Sequence, residues 1–177
     1  MGNIKRTGLF FILFLISFTF ASKIFSQTKV GYIDSKKILE SMQDSRDAKQ
    51  RLEALVTQWQ GELKELQDSL KYIKEDYEKK KLILTDQLKL QTEKQIADIE
   101  GSVSSFKTQK FSEGGEYFQK QTEYMKPVQD RIFKAIETIA KDGSFDYVFD
   151  RSSDILLLYV NENYDLTNKV INEIEGK

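Results

Sequence analysis

The chain of 177 residues contains no cysteine and no histidine. Without cysteine it cannot form a disulfide or use a thiolate nucleophile. Without histidine it lacks the commonest metal ligand and the imidazole on which a Ser-His-Asp triad depends. These absences exclude the usual zinc, haem, thiol and triad chemistry, so we expect no catalytic residue, no cofactor and no metal site.

The charges of the chain are close to balance. Lysine and arginine total 27 and aspartate and glutamate total 28, which gives a net charge of −1. A nucleic-acid-binding protein usually carries a clear basic excess, so nucleic acid is not expected as a partner. The charged fraction of 31% and the mean hydropathy of −0.50 indicate a largely solvated surface, as on long helices.

The first residues have the pattern of a secretory signal peptide. Lys5 and Arg6 form a basic start, a short apolar run covers residues 9–16, and small residues follow. We assign residues 1–21 to the signal peptide, with cleavage as late as residue 26 as the second choice. Loss of its two basic residues changes the net charge from −1 to −3. The alternative is an uncleaved anchor, but a spanning helix needs about 20 apolar residues and this run is shorter.

A heptad seam is the strongest signal in the chain. Apolar residues recur in steps of four and three at Leu52, Val56, Trp59, Leu63, Leu66, Leu70, Ile73 and Tyr77. Such a seam lets one helix pack lengthwise against another. We expect this helix to end near residues 82–84, and Thr85 to cap the helix that follows.

The returning helix is expected to run as one element over residues 86–140. Two helices of similar length joined by a tight turn lie antiparallel, so they form an arm over about residues 35–141 that spans roughly 70 to 80 Å. Gly114 and Gly115 interrupt the second helix and predict a soft point with nothing to resist fraying, because glycine costs about 1 kcal/mol against alanine in a helix. Pro127 removes one backbone donor and predicts at most a kink.

Three short strands are predicted outside the arm. They cover residues 29–34, 145–149 and 155–160, and turn residues separate them. The fold class is therefore α+β, mainly α. A long antiparallel helical hairpin, a coiled-coil tentacle, stands on a small β body made from residues 29–34 and 143–177. We expect a single domain over residues 28–177.

The strand at residues 155–160 is apolar on both faces, which predicts burial on both faces. Three short strands and one small helix offer too little surface to cover it within one chain. Self-association through the β body is therefore expected. The candidate body residues are Val30, Tyr32, Phe145, Tyr147, Phe149, Ile155, Leu157 and Tyr159.

A thin arm cannot bury all of its aromatic side chains against one partner helix. Hairpin packing alone explains the seam, but aromatics left over from it would be available to an apolar partner. The candidate contact residues on the arm are Trp59, Phe106, Phe111 and Phe118, together with Lys79, Lys80 and Lys81. The three lysines also suit the negative end of a helix dipole, and this interpretation is favoured over contact with an anionic surface at the arm tip.

Residues 29–42, KVGYIDSKKILESM, and residues 132–150, IFKAIETIAKDGSFDYVFD, resemble the Skp/OmpH family of periplasmic chaperones. The closing strand and helix over residues 154–174 are similar as well. The resemblance implies a periplasmic homotrimer with a β body made from all three subunits and three arms that enclose a cavity. It also implies that unfolded outer-membrane proteins are held there without ATP.

The resemblance carries over no catalytic residue and no cofactor. One departure concerns charge, because well-known members of the family are strongly basic and this mature chain is slightly acidic. Lys79, Lys80 and Lys81 keep the positive feature only near the arm tip, which leaves transient contact with a membrane surface there as the alternative to the dipole interpretation.

Two other classes fit parts of the sequence. A periplasmic coiled-coil spacer or adaptor, docking on a fixed partner, would have similar arms but would need a continuous apolar outer stripe, which the arms lack. A membrane-tethered coiled coil would follow if the signal peptide stays uncleaved. An enzyme is the least supported class, because no constellation of chemically reactive residues is present.

Overall fold

The computed structural model describes residues 27–153 and 157–177. The assigned signal peptide, with either cleavage point, lies outside them. The elements are β1 (Val30–Ile33), α1 (Ser35–Ser41), α2 (Gln43–Lys80), α3 (Asp86–Phe111), α4 (Glu116–Asp142), β2 (Tyr147–Asp150), a 3-10 helix (Glu162–Tyr164) and α5 (Thr167–Glu175). Long helices beside one small sheet confirm the predicted α+β, mainly α class. Within the described ranges, no helix combines the length and the apolar character that crossing a bilayer requires.

The helical part begins directly at the sheet. The Asp34 side chain follows β1 and caps α1 by accepting a hydrogen bond of 3.1 Å from the Lys37 backbone N–H. α1 is short because Met42 has an extended backbone, with φ −79° and ψ 127°. α1 and α2 are therefore separate helices, and the Met42 side chain between them is buried in the core.

α2 and α3 form an antiparallel hairpin. With 38 residues, α2 is about 57 Å long. It ends at Lys80, slightly before the expected position, and Thr85 caps α3 as predicted, by accepting a hydrogen bond from the Leu88 N–H at 3.4 Å. Every residue of the heptad seam is buried or half-buried, so the seam packs along its whole length.

Polar contacts join the two sides of the hairpin. The Tyr77 hydroxyl donates a hydrogen bond to the Glu93 carboxylate, and Lys74 pairs with Glu100. The bond to Glu93 raises the pKa of Tyr77, because it favours the protonated phenol. These contacts connect α2 to α3 in the outer part of the arm, where the apolar seam ends.

The returning side of the arm consists of two helices, so the prediction of one continuous helix is wrong. Residues 112–115 separate α3 from α4. Gly114 has φ +78°, a left-handed conformation that interrupts a right-handed helix and that glycine adopts without a Cβ penalty. Pro127, in contrast, lies inside α4 and does not end it.

The sheet has two parallel strands, with Val30 opposite Tyr147. The predicted third strand is wrong for its described part, because residues 157–160 contain no strand. A strand needs a neighbour to pair its backbone N–H and C=O groups, and within the described chain the sheet consists of β1 and β2 alone. Ile155 lies outside the described residues.

The end of β2 is tied to the start of α1. The Asp150 carboxylate accepts hydrogen bonds from the Ser35 N–H at 3.1 Å, the Ser152 N–H at 3.0 Å and the Ser152 hydroxyl at 2.7 Å. Partial burial opposes ionisation of Asp150, but together these bonds outweigh it and hold the pKa of the carboxyl group below its usual range. The carboxylate therefore fixes the edge of the sheet against the first helix.

The hydrophobic core lies at the base of the arm, where the sheet, α1, the start of α2, α4 and α5 meet. Its buried members are Ile33, Ile38, Met42, Ala48, Val128, Ile132, Ala135, Leu166 and Val170. Gly31 allows a close approach in this core, because a Cβ atom there would lie 2.7 Å from Leu166 Cδ1. Arg131 adds a polar connection by pairing with Asp44 and donating a hydrogen bond of 3.3 Å to the Ile174 carbonyl.

Candidate functional site

The sheet presents an uncovered apolar surface at the base of the molecule. Successive side chains of a strand point to opposite faces. Ile33 and Val148 pack on the core side, whereas Val30, Tyr147 and Phe149 are exposed. These three residues, termed the outer sheet face, were all predicted as body residues.

Tyr32 and Phe145, two other predicted body residues, are covered by their own chain. The Tyr32 ring is buried, with the Arg151 guanidinium 6.0 Å from its centroid. Burial and then the negative charge of Asp165 raise the pKa of Tyr32. Phe145 packs against the core, with the Lys29 ammonium 4.2 Å from its ring centroid. Both rings therefore belong to the protomer's own base.

Residues 157–160 present further apolar side chains to solvent. Leu157 is 36% exposed and Leu158 is 89% exposed, and Tyr159 is also almost fully exposed. Sequence analysis predicted that one chain offers too little surface to cover this segment, and in the protomer these side chains stay exposed. Exposed apolar groups that lie close together are typical of interaction surfaces, so Leu157 and Tyr159 remain candidates for contact with another protein.

Trp59 is buried inside the arm, so its prediction as an available contact residue is wrong. It is 4% exposed, and its ring meets Phe111 edge-to-face with the centroids 6.0 Å apart. The Lys110 ammonium lies 5.0 Å from the Trp59 centroid. The physical reason is the heptad, which directs Trp59 towards the returning helices. Phe106 and Phe111 are half-buried on those helices.

Phe118 is exposed on α4, as predicted for a contact residue. Its ring packs edge-to-face against Tyr117, with the centroids 5.2 Å apart. Tyr72 on α2 is also exposed. The exposed aromatic rings of the arm therefore lie on two different helices, α2 and α4.

The turn between α2 and α3 carries an apolar patch that sequence analysis missed. Leu82 and Ile83 are 91% and 84% exposed, and Leu88 and Leu90 are exposed as well. These four residues are termed the arm tip. A signal was available, because the heptad seam ends at Tyr77 and aliphatic residues beyond it have no partner helix to face.

The lysine cluster next to the arm tip is partly neutralised. Lys80 pairs with Asp76 at 2.8 Å, and Lys81 pairs with Glu78 at 2.6 Å. The hydrogen bond to Asp76 raises the pKa of Lys80. Lys79 is exposed. The tip is therefore more apolar and less basic than the run of three lysines indicates.

The family of the chain follows from its sequence. The family of OmpH-like outer membrane proteins matches residues 29–174. The chain belongs to the OmpH-like family. An uncharacterized protein of Aquifex aeolicus is 26% identical over 143 residues, which cover 81% of this chain and 83% of that protein.

A solved relative has the same architecture as this OmpH-like protein. It comes from Caulobacter crescentus and is described as a candidate OmpH-like outer membrane chaperone. The match covers 85% of this chain and 86% of the Caulobacter chain, with 14% identity and a TM-score of 0.67. At this identity the likeness shows a shared fold.

A mostly apolar groove of about 420 Å³ lies at the base of the OmpH-like protein. Its apolar lining includes Leu39, Phe133, Ile136 and Val148, and sequence analysis did not single out any of them. Its Asp150 carboxylate already accepts several hydrogen bonds. Within residues 27–153 and 157–177, no three acidic, histidine or cysteine residues are grouped as a metal site.

Proposed function

We propose that this OmpH-like protein is an ATP-independent periplasmic holdase. As a homotrimer, it would bind unfolded outer-membrane proteins between its arms and prevent their aggregation, without enzymatic activity. The family match over residues 29–174 carries the proposal, since it spans the sheet and the whole arm. The Caulobacter protein, described as a candidate outer membrane chaperone, has the same fold and supports the same assignment.

Client contact is assigned to dispersed groups along the arm. Tyr72, Phe118 and the arm tip are exposed, and Phe106 and Phe111 are half-exposed at the hairpin surface. The strands of an outer-membrane barrel carry alternating apolar residues, so an unfolded barrel offers many short apolar segments. Several weak contacts spread along an arm suit such a changing client better than a single pocket would.

Trimer formation is assigned to the outer sheet face together with Leu157 and Tyr159. In a free protomer these groups stay in water, and burying apolar surface contributes roughly 25 cal/mol per Å². A closed symmetric assembly buries the same patch on every subunit. The uncovered base therefore supports association through the body, with the arms left free.

The arm tip is also proposed to touch a membrane surface transiently. Leu82 and Ile83 are apolar and fully presented to solvent, and Lys79 lies close to them in the chain. Lys80 and Lys81 are held in exposed pairs with acidic residues of α2, and such surface pairs contribute little. Their exchange onto lipid phosphates costs little, so the contact is proposed to be weak and reversible.

Light scattering of an outer-membrane barrel, diluted from urea in the absence of ATP, tests the holdase. Several-fold trimer excess of the mature protein is expected to suppress aggregation at low and at moderate salt. A control protein that lacks residues 52–124 should still associate through its base and should no longer suppress aggregation. Unchanged aggregation with the intact protein would reject the holdase and favour the periplasmic spacer or adaptor on a fixed partner.

Export and signal cleavage have a separate test. The proposed periplasmic protein starts after residue 21, or as late as after residue 26. N-terminal sequencing and intact mass of the exported protein distinguish these two starts. An uncleaved chain in the membrane fraction would favour the membrane-tethered coiled coil.

A further inference from the structure

The residues between α3 and α4 form an ordered turn. The Gly115 N–H donates a hydrogen bond of 2.8 Å to the Ser112 carbonyl. The Gln119 side-chain amide donates one of 3.0 Å to the Gly114 carbonyl. The expectation that nothing resists fraying at the two glycines is therefore wrong.

An ion pair crosses this turn and joins the two helices. The Lys110 ammonium, in the last turn of α3, lies 2.6 Å from the Glu116 carboxylate, at the first position of α4. Only 18% of the Lys110 side chain is exposed. By comparison, the pair between Lys64 and Asp68 stays within α2 and is largely exposed. Water therefore screens the Lys110 end of the pair less than it screens Lys64, while the Glu116 side chain is 41% exposed.

Aromatic rings hold Lys110 where it meets Glu116. Its ammonium lies 5.0 Å from the Trp59 centroid and 5.8 Å from the Phe106 centroid, both within the range of cation–π attraction. Trp59 belongs to α2 and is itself packed against Phe111. Lys110 thus contacts all three helices that meet here: α2 through Trp59, its own helix α3, and α4 through Glu116.

We propose that the interruption between α3 and α4 is a latched joint of the arm, with the pair Lys110–Glu116 as its latch. Gly115 at the N-cap of α4 supplies no side-chain cap, and Glu116 ties the first position of α4 directly to α3 through its pair with Lys110. With the pair formed, α3 and α4 are held together along α2. With the pair broken, the first turn of α4 frays and the joint opens. This inference concerns the free arm and stands independently of client binding.

Hydrogen exchange of the mature protein without client measures the latch. The amides to follow are those of residues 119–122, the first hydrogen-bonded amides of α4. Lys110→Met and Glu116→Gln are each expected to speed exchange there several-fold. The double variant should be no faster than either single variant, because all three lose the same interaction. Glu113→Gln is the matched control, since it removes the same charge from an exposed position in the same turn and should exchange like the wild type.

The fluorescence of Trp59, the only tryptophan of the chain, gives a second readout. Glu116→Gln should make Trp59 more accessible to acrylamide, because a released Lys110 no longer covers the ring. Raised salt should speed exchange at residues 119–122 in the wild type and leave Glu116→Gln unchanged. An effect of Glu116→Gln without one of Lys110→Met would assign Glu116 to the helix dipole alone and overturn the latch. The latch would also be overturned if the effects of the two single variants added up in the double variant. Exchange at the wild-type rate in both single variants would overturn it as well.

Discussion

At the level of single residues, Trp59 packs the two sides of the arm together. Its ring is buried between α2 and the returning helices, where it contacts Phe111 and Lys110. Tyr72, further along α2, lies outside the seam next to the seam residue Ile73 and is 72% exposed. Position relative to the seam, rather than aromatic character, therefore decides which side chains remain available for a partner.

Trp59→Ala is expected to destabilise the arm by about 3 to 5 kcal/mol, the usual cost of emptying a site that held a large buried aromatic. Tyr72→Ala, on the same helix, should change stability by less than about 0.5 kcal/mol, since Tyr72 fills no cavity. Thermal and urea unfolding followed by far-UV circular dichroism compares the two variants. Similar losses in both would contradict the burial of Trp59.

Ser45→Ala is expected to leave the free energy of unfolding unchanged or to raise it by about 1 kcal/mol. Ser45 is fully buried, and its hydroxyl has no hydrogen-bond partner among the described residues. Removing an unsatisfied polar group removes a desolvation cost. Ser41→Ala is the matched control, because the Ser41 hydroxyl donates a hydrogen bond of 2.7 Å to the Ile38 carbonyl. The free energy of unfolding of Ser41→Ala should fall by about 1 kcal/mol. Urea unfolding should therefore show that Ser45→Ala is the more stable of the two variants.

Helix boundaries set by local chemistry could be predicted from the sequence. Asp34 and Thr85 cap their helices as short polar side chains do, and the heptad seam predicts the packed face of α2. The break after α3 could be predicted only as a soft point. Glycine shows where a backbone can turn, and whether it turns depends on contacts such as Lys110 with Glu116, which come from the tertiary structure.

Gly114→Ala is expected to destabilise the arm by about 1 to 2 kcal/mol, because Gly114 has φ +78° and a Cβ atom is unfavourable there. Gly101→Ala, within α3, should stabilise it by about 0.5–1 kcal/mol, since a Cβ atom there meets no atom within 4 Å. Both changes replace glycine by alanine on the same side of the arm. The melting temperatures of the two variants, followed by circular dichroism, should move in opposite directions. A shift in the same direction would contradict the left-handed turn at Gly114.

At the scale of the whole molecule, the base exposes the outer sheet face and the hairpin turn exposes the arm tip. Residues 29–42 and 132–150, taken with the order of signal peptide, strand, long hairpin, two strands and helix, predicted the family, and the match over residues 29–174 confirms it. The arm tip was missed because no periodic pattern marks it. The predicted third strand was wrong for residues 157–160, because apolar residues on two faces predict burial without telling which chain provides the cover. Leu158, 89% exposed in the protomer, illustrates that gap.

Leu157→Asp tests whether the uncovered base is a subunit interface. The mature protein is expected to be a homotrimer at micromolar concentration by light scattering coupled to size exclusion. Leu157 is already 36% exposed in the protomer, so a charge there costs little in a monomer. It costs several kcal/mol where subunits bury it without a partner.

The variant should therefore dissociate while its arm keeps the parent helicity. Phe118→Asp, the same kind of change at an exposed site on α4, should stay trimeric. A monomeric parent, or a Leu157→Asp trimer as stable as the parent, would contradict association through this segment.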